Sequence, residues 1–239
     1  MEILFLAPSE RSNQKEILDD FDCDIQTLKD NLTDIAKFNS LLGTRNAILS
    51  YIKMIIEVKN LSGKIRILDL CCGSADIPIY IIDWARKRNK DIEIIAIDID
   101  KNIIEVAKEE SKNYPEILCE VGDAFNLEYD KNHFNIVICS QAFHHFSDES
   151  CIKLLKVMNN LSNDGFIVND LRRAWINYIG AFLISRIGNM NYMSKNDAPI
   201  SVLRAFTKKE FLNLAKKADI KNVDCYSFFI HSLQLVSIK

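Results

Sequence analysis

The pattern of apolar and polar positions changes its period along the chain. From residue 64 onward, short apolar runs typical of buried strands alternate with stretches in which apolar residues recur at helical spacing. The apolar runs lie near 65–70, 92–97, 117–121, 134–139 and 164–169, and the helical stretches near 77–89, 101–112 and 149–161. This alternation predicts a doubly wound, mostly parallel α/β sheet whose ligand lies beyond the carboxyl ends of the strands.

The two ends of the chain have other patterns. Residues 1 to about 60 carry two apolar stripes at helical spacing, one from Ile25 to Phe38 and one from Ile48 to Ile56. We therefore predict an N-terminal helical cap over residues 1–62 and a ligand-binding domain over residues 63–239. The rest of the chain predicts a helix near 174–188, a polar loop from Asn189 to Pro199, a helix near 207–217, and strands near 222–230 and 232–238.

Composition narrows the class of protein. The chain has 239 residues and a net charge of −3, which gives no general attraction to nucleic acid. Its seven cysteines form no C-x-x-C pair, so we expect reduced thiols, a cytoplasmic protein and no metal site. The N-terminal apolar run from Ile3 to Ala7 is too short for a signal peptide, and the apolar stretch at 174–187 falls short of a membrane span.

A turn of small residues follows the first predicted strand. The strand from Ile65 to Leu70 contains Asp69, and Gly73 in the turn lets a ligand approach the backbone closely. Ser74 and Asp76 are both competent N-cap residues for the next helix. The segment is typical of a nucleotide-cofactor loop, although Cys71 and Ala75 stand where glycines are expected.

Further strand ends carry polar residues. Asp98 closes the second apolar run, where a carboxylate is well placed to accept hydrogen bonds from a ribose diol, and Asp100 is the expected N-cap of the following helix. The third run leads into Val121–Phe125, and the fourth spans Phe134–Phe146. Because the carboxyl ends of parallel strands meet at one edge of a sheet, we expect these segments to form one site.

These segments, in this order, resemble the class I S-adenosylmethionine-dependent methyltransferases. Leu68–Asp76 is similar to their D-x-G-x-G loop, Ala96–Asp100 to the acid after the second strand, Val121–Ala124 to a G-D-A segment, and Phe134–Phe146 to a strand that ends near a histidine. The resemblance implies S-adenosyl-L-methionine as cofactor and a Rossmann-like seven-stranded sheet with an antiparallel last strand. It also implies a set of cofactor-binding residues: Asp69, Cys71, Gly73, Asp76, Asp98, Ile99, Asp123, Ala124, Phe125, Cys139 and Ser140.

Within that set the resemblance implies separate roles. Asp69 and Gly73 shape the turn around the amino-acid part of the cofactor, with Asp76 as a further contact. Asp123 meets the adenine amino group, while Ala124 and Phe125 line the base. For Asp76 a plain helix cap, and for Asp123 a plain turn, are the competing interpretations.

A narrower resemblance covers almost the whole chain. Segments Glu16–Asp20, Leu28–Ile35, Val168–Arg173 and Asp197–Thr207 are similar to small-molecule methyltransferases related to the quinone-biosynthesis C-methyltransferases. Similar proteins are often linked to polyketide or phenolic products. This resemblance implies an acceptor pocket built by an insertion near 171–206.

Methyl transfer requires alignment of the reactants in a dry site, and a base helps where the acceptor is a phenol, an enol or a ring carbon. His144 and His145 follow the fourth strand and are the candidate catalytic residues, against the alternative of structural histidines. The candidate acceptor-binding residues are Asn39, Arg45, His144, Asp170, Arg172 and Arg204. An arginine clamp on an acceptor oxygen and an ion pair between Asp170 and an arginine are equally compatible with the sequence.

The sequence therefore predicts an S-adenosylmethionine-dependent methyltransferase of a small aromatic, quinol or polyketide-like acceptor. The alternatives are an RNA or protein methyltransferase and a cofactor-binding partner subunit without turnover. The sequence leaves open a homodimer and the choice among O-, C- and N-methylation.

Overall fold

One seven-stranded sheet forms the centre of the molecule. The computed structural model describes residues 6–19, 24–188 and 190–239. The strands are β1 (Ile65–Leu70), β2 (Ile92–Asp98), β3 (Ile117–Val121), β4 (Phe134–Ser140), β5 (Ser162–Leu171), β6 (Val223–Phe228) and β7 (Ser232–Ile238). Their order is β3-β2-β1-β4-β5-β7-β6, and β7 runs antiparallel to both of its neighbours. The predicted fold class is confirmed.

Helices cover both faces of this sheet. They are α1 (Ile25–Leu41), α2 (Thr44–Val58), α3 (Asp76–Lys87), α4 (Lys101–Glu110), α5 (Asp148–Leu161), α6 (Trp175–Ile187), α7 (Tyr192–Arg204) and α8 (Lys208–Lys217). Two short 3-10 helices span Ile17–Asp19 and Phe143–His145. Within the described ranges, no helix has the length and apolar character needed to cross a bilayer.

The core lies on both faces of the sheet because successive side chains of a strand point to opposite sides. Leu68 belongs to the apolar cluster that includes residues of α5 and α8, whereas its neighbour Ile67 belongs to the cluster that includes residues of α2 and α3. The helix α2 contributes Ile48, Ile52 and Ile55, all fully buried. It therefore shares its core with the sheet, and the division at residue 62 stays a prediction.

The predicted polar loop from Asn189 to Pro199 is wrong, because a helix covers most of it. Helix α7 begins at Tyr192, where the Asn191 side chain accepts a hydrogen bond from the backbone of Ser194 at 2.9 Å. Two of the polar residues that indicate a loop in the sequence, Ser194 and Asp197, are buried. The Asp197 carboxylate accepts hydrogen bonds from the backbone N–H groups of Ile17 and Leu18, in the N-terminal segment (residues 6–19). Tertiary contacts therefore override the local propensity.

Candidate active site

A cavity of about 1230 Å³ opens at the carboxyl ends of β1, β2 and β4. Helices α1, α6 and α7 and the N-terminal segment enclose its other sides. It brings together many residues that the sequence predicts, namely Asn39, Asp69, Cys71, Gly73, Asp76, Asp98, Ser140, His144, His145 and Arg204. One cavity thus joins the predicted cofactor loop to the predicted catalytic histidines.

Other predicted residues lie behind or beside the cavity wall. These are Arg45, Ile99, Asp123, Ala124, Phe125, Cys139, Asp170 and Arg172. The Asp123 carboxylate accepts a hydrogen bond from the backbone of Phe125 at 2.9 Å, and the Phe125 ring packs edge-on against Phe146, which does line the cavity. The roles of Asp123 and Phe125 at an adenine ring stay predictions.

The cofactor loop has an unusual backbone. Cys71, Gly73 and Ala75 all have left-handed φ angles, of 58°, 55° and 59°. This conformation costs a residue with a side chain roughly 1–2 kcal/mol, so Cys71 and Ala75 keep the backbone shape that glycine adopts without strain. Ala75 takes the N-cap position of α3 without a side-chain cap, so the capping predicted for Ser74 or Asp76 is wrong.

Three carboxyl groups gather around this loop. Asp98 accepts hydrogen bonds from the backbone N–H of Gly73 at 3.3 Å and of Asp100 at 3.2 Å. Burial raises the pKa values of Asp69, Asp76 and Asp98, and for Asp69 the charges of the other two add to the effect. The loop therefore gathers carboxyl groups whose ionised forms a bound cation would favour. Asp100 is the N-cap of α4, as predicted.

The cap is tied to this loop by side chains. Arg45 donates to the Asp76 carboxylate at 2.9 Å, and Asn39 donates to both oxygens of the same group at 3.3 Å. Gln141, which follows β4, donates to Asn39 at 2.6 Å. Asn39 and Arg45 therefore join the cap to the predicted cofactor loop, which agrees with the expectation that they close the cap over the cofactor. Their binding of the acceptor stays a prediction.

A histidine and an aspartate form a buried pair at the other end of the cavity. The Nδ1 atom of His144 lies 2.6 Å from Oδ1 of Asp170, and the backbone N–H of His144 donates to Oδ2 at 2.9 Å. The two side chains are 3% and 0% exposed. A carboxylate at Nδ1 holds the proton there and leaves the Nε2 lone pair as a base.

This pairing gives Asp170 a histidine partner, where the sequence leaves open an ion pair with an arginine or an arginine clamp on the acceptor. Arg172 directs its guanidinium to the Ser227 hydroxyl at 3.4 Å. Arg173 pairs with Glu210 at 2.6 Å. Both arginines therefore have partners other than Asp170, and the Asp170 carboxylate pairs with His144.

Two acids that sequence reasoning missed complete this end of the site. The Arg204 guanidinium lies 3.1 Å from Glu16 and 2.6 Å from Asp19. Asp19 also accepts from Nδ1 of His145 at 2.6 Å. The narrower resemblance includes Glu16 and Asp19, but nothing in the local sequence shows that they meet an arginine in the last turn of α7.

The segment that carries these acids is fixed by Arg11. Its guanidinium donates to the backbone carbonyls of His144 at 3.1 Å and Phe146 at 3.0 Å, and its Nε donates to the carbonyl of Arg204 at 2.6 Å. The same group lies 3.8 Å from the centre of the Phe206 ring. The N-terminal segment is therefore held across the cavity by bonds to the elements that carry the histidines.

Ligand atoms of Glu16, His144 and His145 lie within 4.8 Å of one another, which is close enough for a divalent cation. The Arg204 guanidinium already provides Glu16 with a positive partner. Nδ1 of each imidazole is hydrogen-bonded to a carboxylate. Such a bond orients a histidine that acts as a base as well as one that binds a metal, so it does not distinguish the two roles. We assign no cation to this cluster, and the absence of a metal site stays a prediction.

Comparison with known proteins defines the class. Residues 61–221 match a family described as "Methyltransferase domain", which extends from the turn before β1 to just beyond α8. The chain belongs to this family, and the predicted resemblance to methyltransferases is confirmed.

Individual relatives are more distant. A demethylmenaquinone methyltransferase of Staphylococcus carnosus is 29% identical over 141 residues, 59% of this chain and 54% of that protein. Its Staphylococcus saprophyticus counterpart is 28% identical over 116 residues, 48% of each chain. The chain thus spans about half the length of the curated relatives it matches.

Solved structures show the same fold at low identity. Human N-acetylserotonin methyltransferase in complex with SAM has a TM-score of 0.63 at 12% identity, covering 90% of this chain and 56% of that one. Magnesium protoporphyrin IX methyltransferase from Synechocystis, with bound SAH, has a TM-score of 0.57 at 12% identity and covers 83% of each chain.

Proposed function

We propose that this protein is a cytoplasmic S-adenosylmethionine-dependent methyltransferase of a small aromatic, quinol or polyketide-like acceptor. One observation carries the proposal: a buried histidine, oriented by Asp170, shares a cavity with the cofactor loop and Asp98. The relatives named demethylmenaquinone methyltransferase support the quinol class.

The residues of the loop fit this cofactor. Its sulfonium and amino groups are cationic, and the three buried carboxyl groups have raised pKa values that a cation would lower. Asp98 would hold the ribose diol, while Asp69 and Gly73 would surround the amino-acid part. When bound, the cofactor supplies the methyl electrophile, so the chain must position the acceptor and exclude water.

His144 has the geometry of a general base for the acceptor. Its Nδ1 proton is held by Asp170, so its Nε2 can take a proton from an acceptor hydroxyl. Removal of that proton places negative charge on the oxygen or, through conjugation, on a ring carbon. Both O- and C-methylation can follow from this charge.

The cavity is large enough for both reactants. Its volume of about 1230 Å³ exceeds the roughly 300–1,000 Å³ of single-ligand pockets. On the acceptor side, α6 contributes Ile176, Ala181 and Ile184 to the wall. An apolar wall beside a polar end suits a ring compound with one or two oxygen groups.

Cofactor binding and methyl transfer test the proposal. We expect S-adenosylmethionine and S-adenosylhomocysteine to raise the melting temperature, with no effect of NAD as the matched control nucleotide. We then expect transfer of a labelled methyl group to members of a panel of phenols, quinols and pyrones. Stabilisation by NAD alone would refute the cofactor, and cofactor binding without transfer to any acceptor would favour a non-catalytic role.

A further inference from the structure

A narrow gap separates two polar groups on the cavity wall. Oε1 of Glu16 lies 3.8 Å from Nε2 of His144, which is too far for a direct hydrogen bond. Both side chains are 3% exposed, and both residues line the cavity. An oxygen atom placed beside the line between them, about 2.8 Å from each, would complete two hydrogen bonds.

We propose that this gap binds the acceptor through a phenolic or enolic hydroxyl, with Glu16 as the second acceptor-binding group. The inference rests on the proposed function and deepens it. The hydroxyl O–H bond breaks, its proton moves to Nε2 of His144, and the electron pair stays on the oxygen. Glu16 keeps its own proton and donates a hydrogen bond to the same oxygen.

The surroundings of Glu16 keep a large fraction of it as the neutral acid up to about pH 7, although Arg204 lies 3.1 Å away. Burial raises its pKa to about 7, although the charges of His145 and Arg204 and the Ser201 hydroxyl act in the opposite direction. The negative charge of Asp197 adds to the increase. Because a carboxylic acid can donate where a carboxylate cannot, the protonated form suits an oxygen that gains negative charge.

The two carboxyl groups beside His144 have different surroundings. Asp170 contacts Nδ1 from the end of β5, is fully buried, and has no surface on the cavity. Glu16 approaches Nε2 from the N-terminal segment and lines the cavity. Asp170 is therefore a positioning residue, whereas Glu16 faces the side from which the acceptor arrives.

Two substitutions of Glu16 separate its titration from its ability to donate a hydrogen bond. Glu16→Gln keeps a hydrogen-bond donor that does not titrate, so we expect activity within about fivefold and loss of the decline in kcat/KM above neutral pH. Glu16→Ala removes the donor and should lower kcat/KM for the acceptor roughly 10- to 100-fold, with cofactor affinity unchanged. Glu105→Gln, an exposed glutamate on α4, is the matched control.

A phenol probe gives a readout that does not need turnover. We expect the wild-type protein with S-adenosylhomocysteine to bind 4-nitrophenol as the phenolate, seen as its yellow absorbance at a pH where the free probe is colourless. Glu16→Ala should bind the probe at least about tenfold more weakly.

The outcomes distinguish the two proposals. Methyl transfer by the wild type with unchanged kinetics and probe binding in Glu16→Ala would overturn the role of Glu16 and leave the methyltransferase function intact. If probe binding depends on Glu16 but the protein transfers no methyl group, the role of Glu16 in binding the hydroxyl would stand and the methyltransferase function would be overturned. Loss of activity with EDTA and recovery with a divalent cation would also overturn the proposal, since Glu16 would then be a metal ligand.

Discussion

The two ends of the cavity are built in different ways. The cofactor end comes from the turn after β1 and the end of β2, and its shape depends on the left-handed backbone at Cys71, Gly73 and Ala75. The acceptor end joins side chains from four separate parts of the chain: the N-terminal segment, the turn after β4, the end of β5 and helix α7.

We expect this difference to separate binding of the cofactor from selection of the acceptor. The loop and the carboxyl groups of the cofactor end lie within the matched family region, residues 61–221, whereas Glu16 and Asp19 of the acceptor end lie before it. A backbone turn accommodates one kind of ligand with few side chains, whereas a side-chain network can change with each acceptor. We therefore expect substitutions at the two ends to affect different steps, and three predictions test this separation.

The largest effect is expected for His144→Ala. Loss of a general base lowers the rate of transfer roughly 10²- to 10⁴-fold. Cofactor affinity should stay within about twofold, because the contacts in the structure place this side chain on Asp170 and near Glu16. Steady-state kinetics and calorimetric binding would check this, and a rate within tenfold of the wild type would contradict the role of base.

A smaller effect on the opposite step is expected for Asp98→Ala. Loss of a carboxylate that binds the ribose should weaken cofactor binding roughly 10- to 100-fold, with little change in kcat at saturating cofactor. Calorimetric titration with S-adenosylhomocysteine measures this directly. Asp100→Asn is the matched control, because the amide oxygen still caps α4. Equal weakening by both substitutions would show that the loop, rather than the carboxylate, is responsible.

The smallest effect concerns pH. The ligand-free protein retains protons on Asp69, Asp76 and Asp98 above their usual range because burial raises these pKa values. A cationic cofactor favours the ionised forms, so binding should release protons and affinity should increase with pH, by at most about tenfold per pH unit for each proton released.

Calorimetry in buffers of different ionisation enthalpy measures the released protons. Asp98→Asn should release fewer, since it removes one of the three titrating groups. If cofactor binding takes up protons, or releases none, then Asp69, Asp76 and Asp98 do not form the cofactor end.

Sequence reasoning succeeded where the signal is local. The apolar run of β1 and the acid at the end of β2 are visible because a buried strand needs continuous apolar residues and its carboxyl end faces the ligand. It failed in α7, where Asp197 is polar in sequence and yet buried against backbone N–H groups of the N-terminal segment.

The acceptor end could be predicted only in part. His144 was found because it follows β4, but its partner on Nδ1 is Asp170, for which the sequence equally allowed an arginine. The sequence does not single out Glu16 and Asp19, because nothing in the residues around an acid shows whether its side chain becomes buried. For Arg45 the sequence supports both the acceptor and the cap over the cofactor, and its pairing with Asp76 places it at the cap.

The sequence by itself determined the alternation of strands and helices from β1 to β5, the methyltransferase family and the position of the predicted cofactor loop, because these depend on hydrophobic period and on short motifs within one strand and turn. Only the tertiary structure decided which charged groups meet. Those contacts join residues far apart in the chain, so Glu16, His144 and Arg204 meet only when the chain folds. Burial in the folded protein then raises the pKa of Glu16 to about 7.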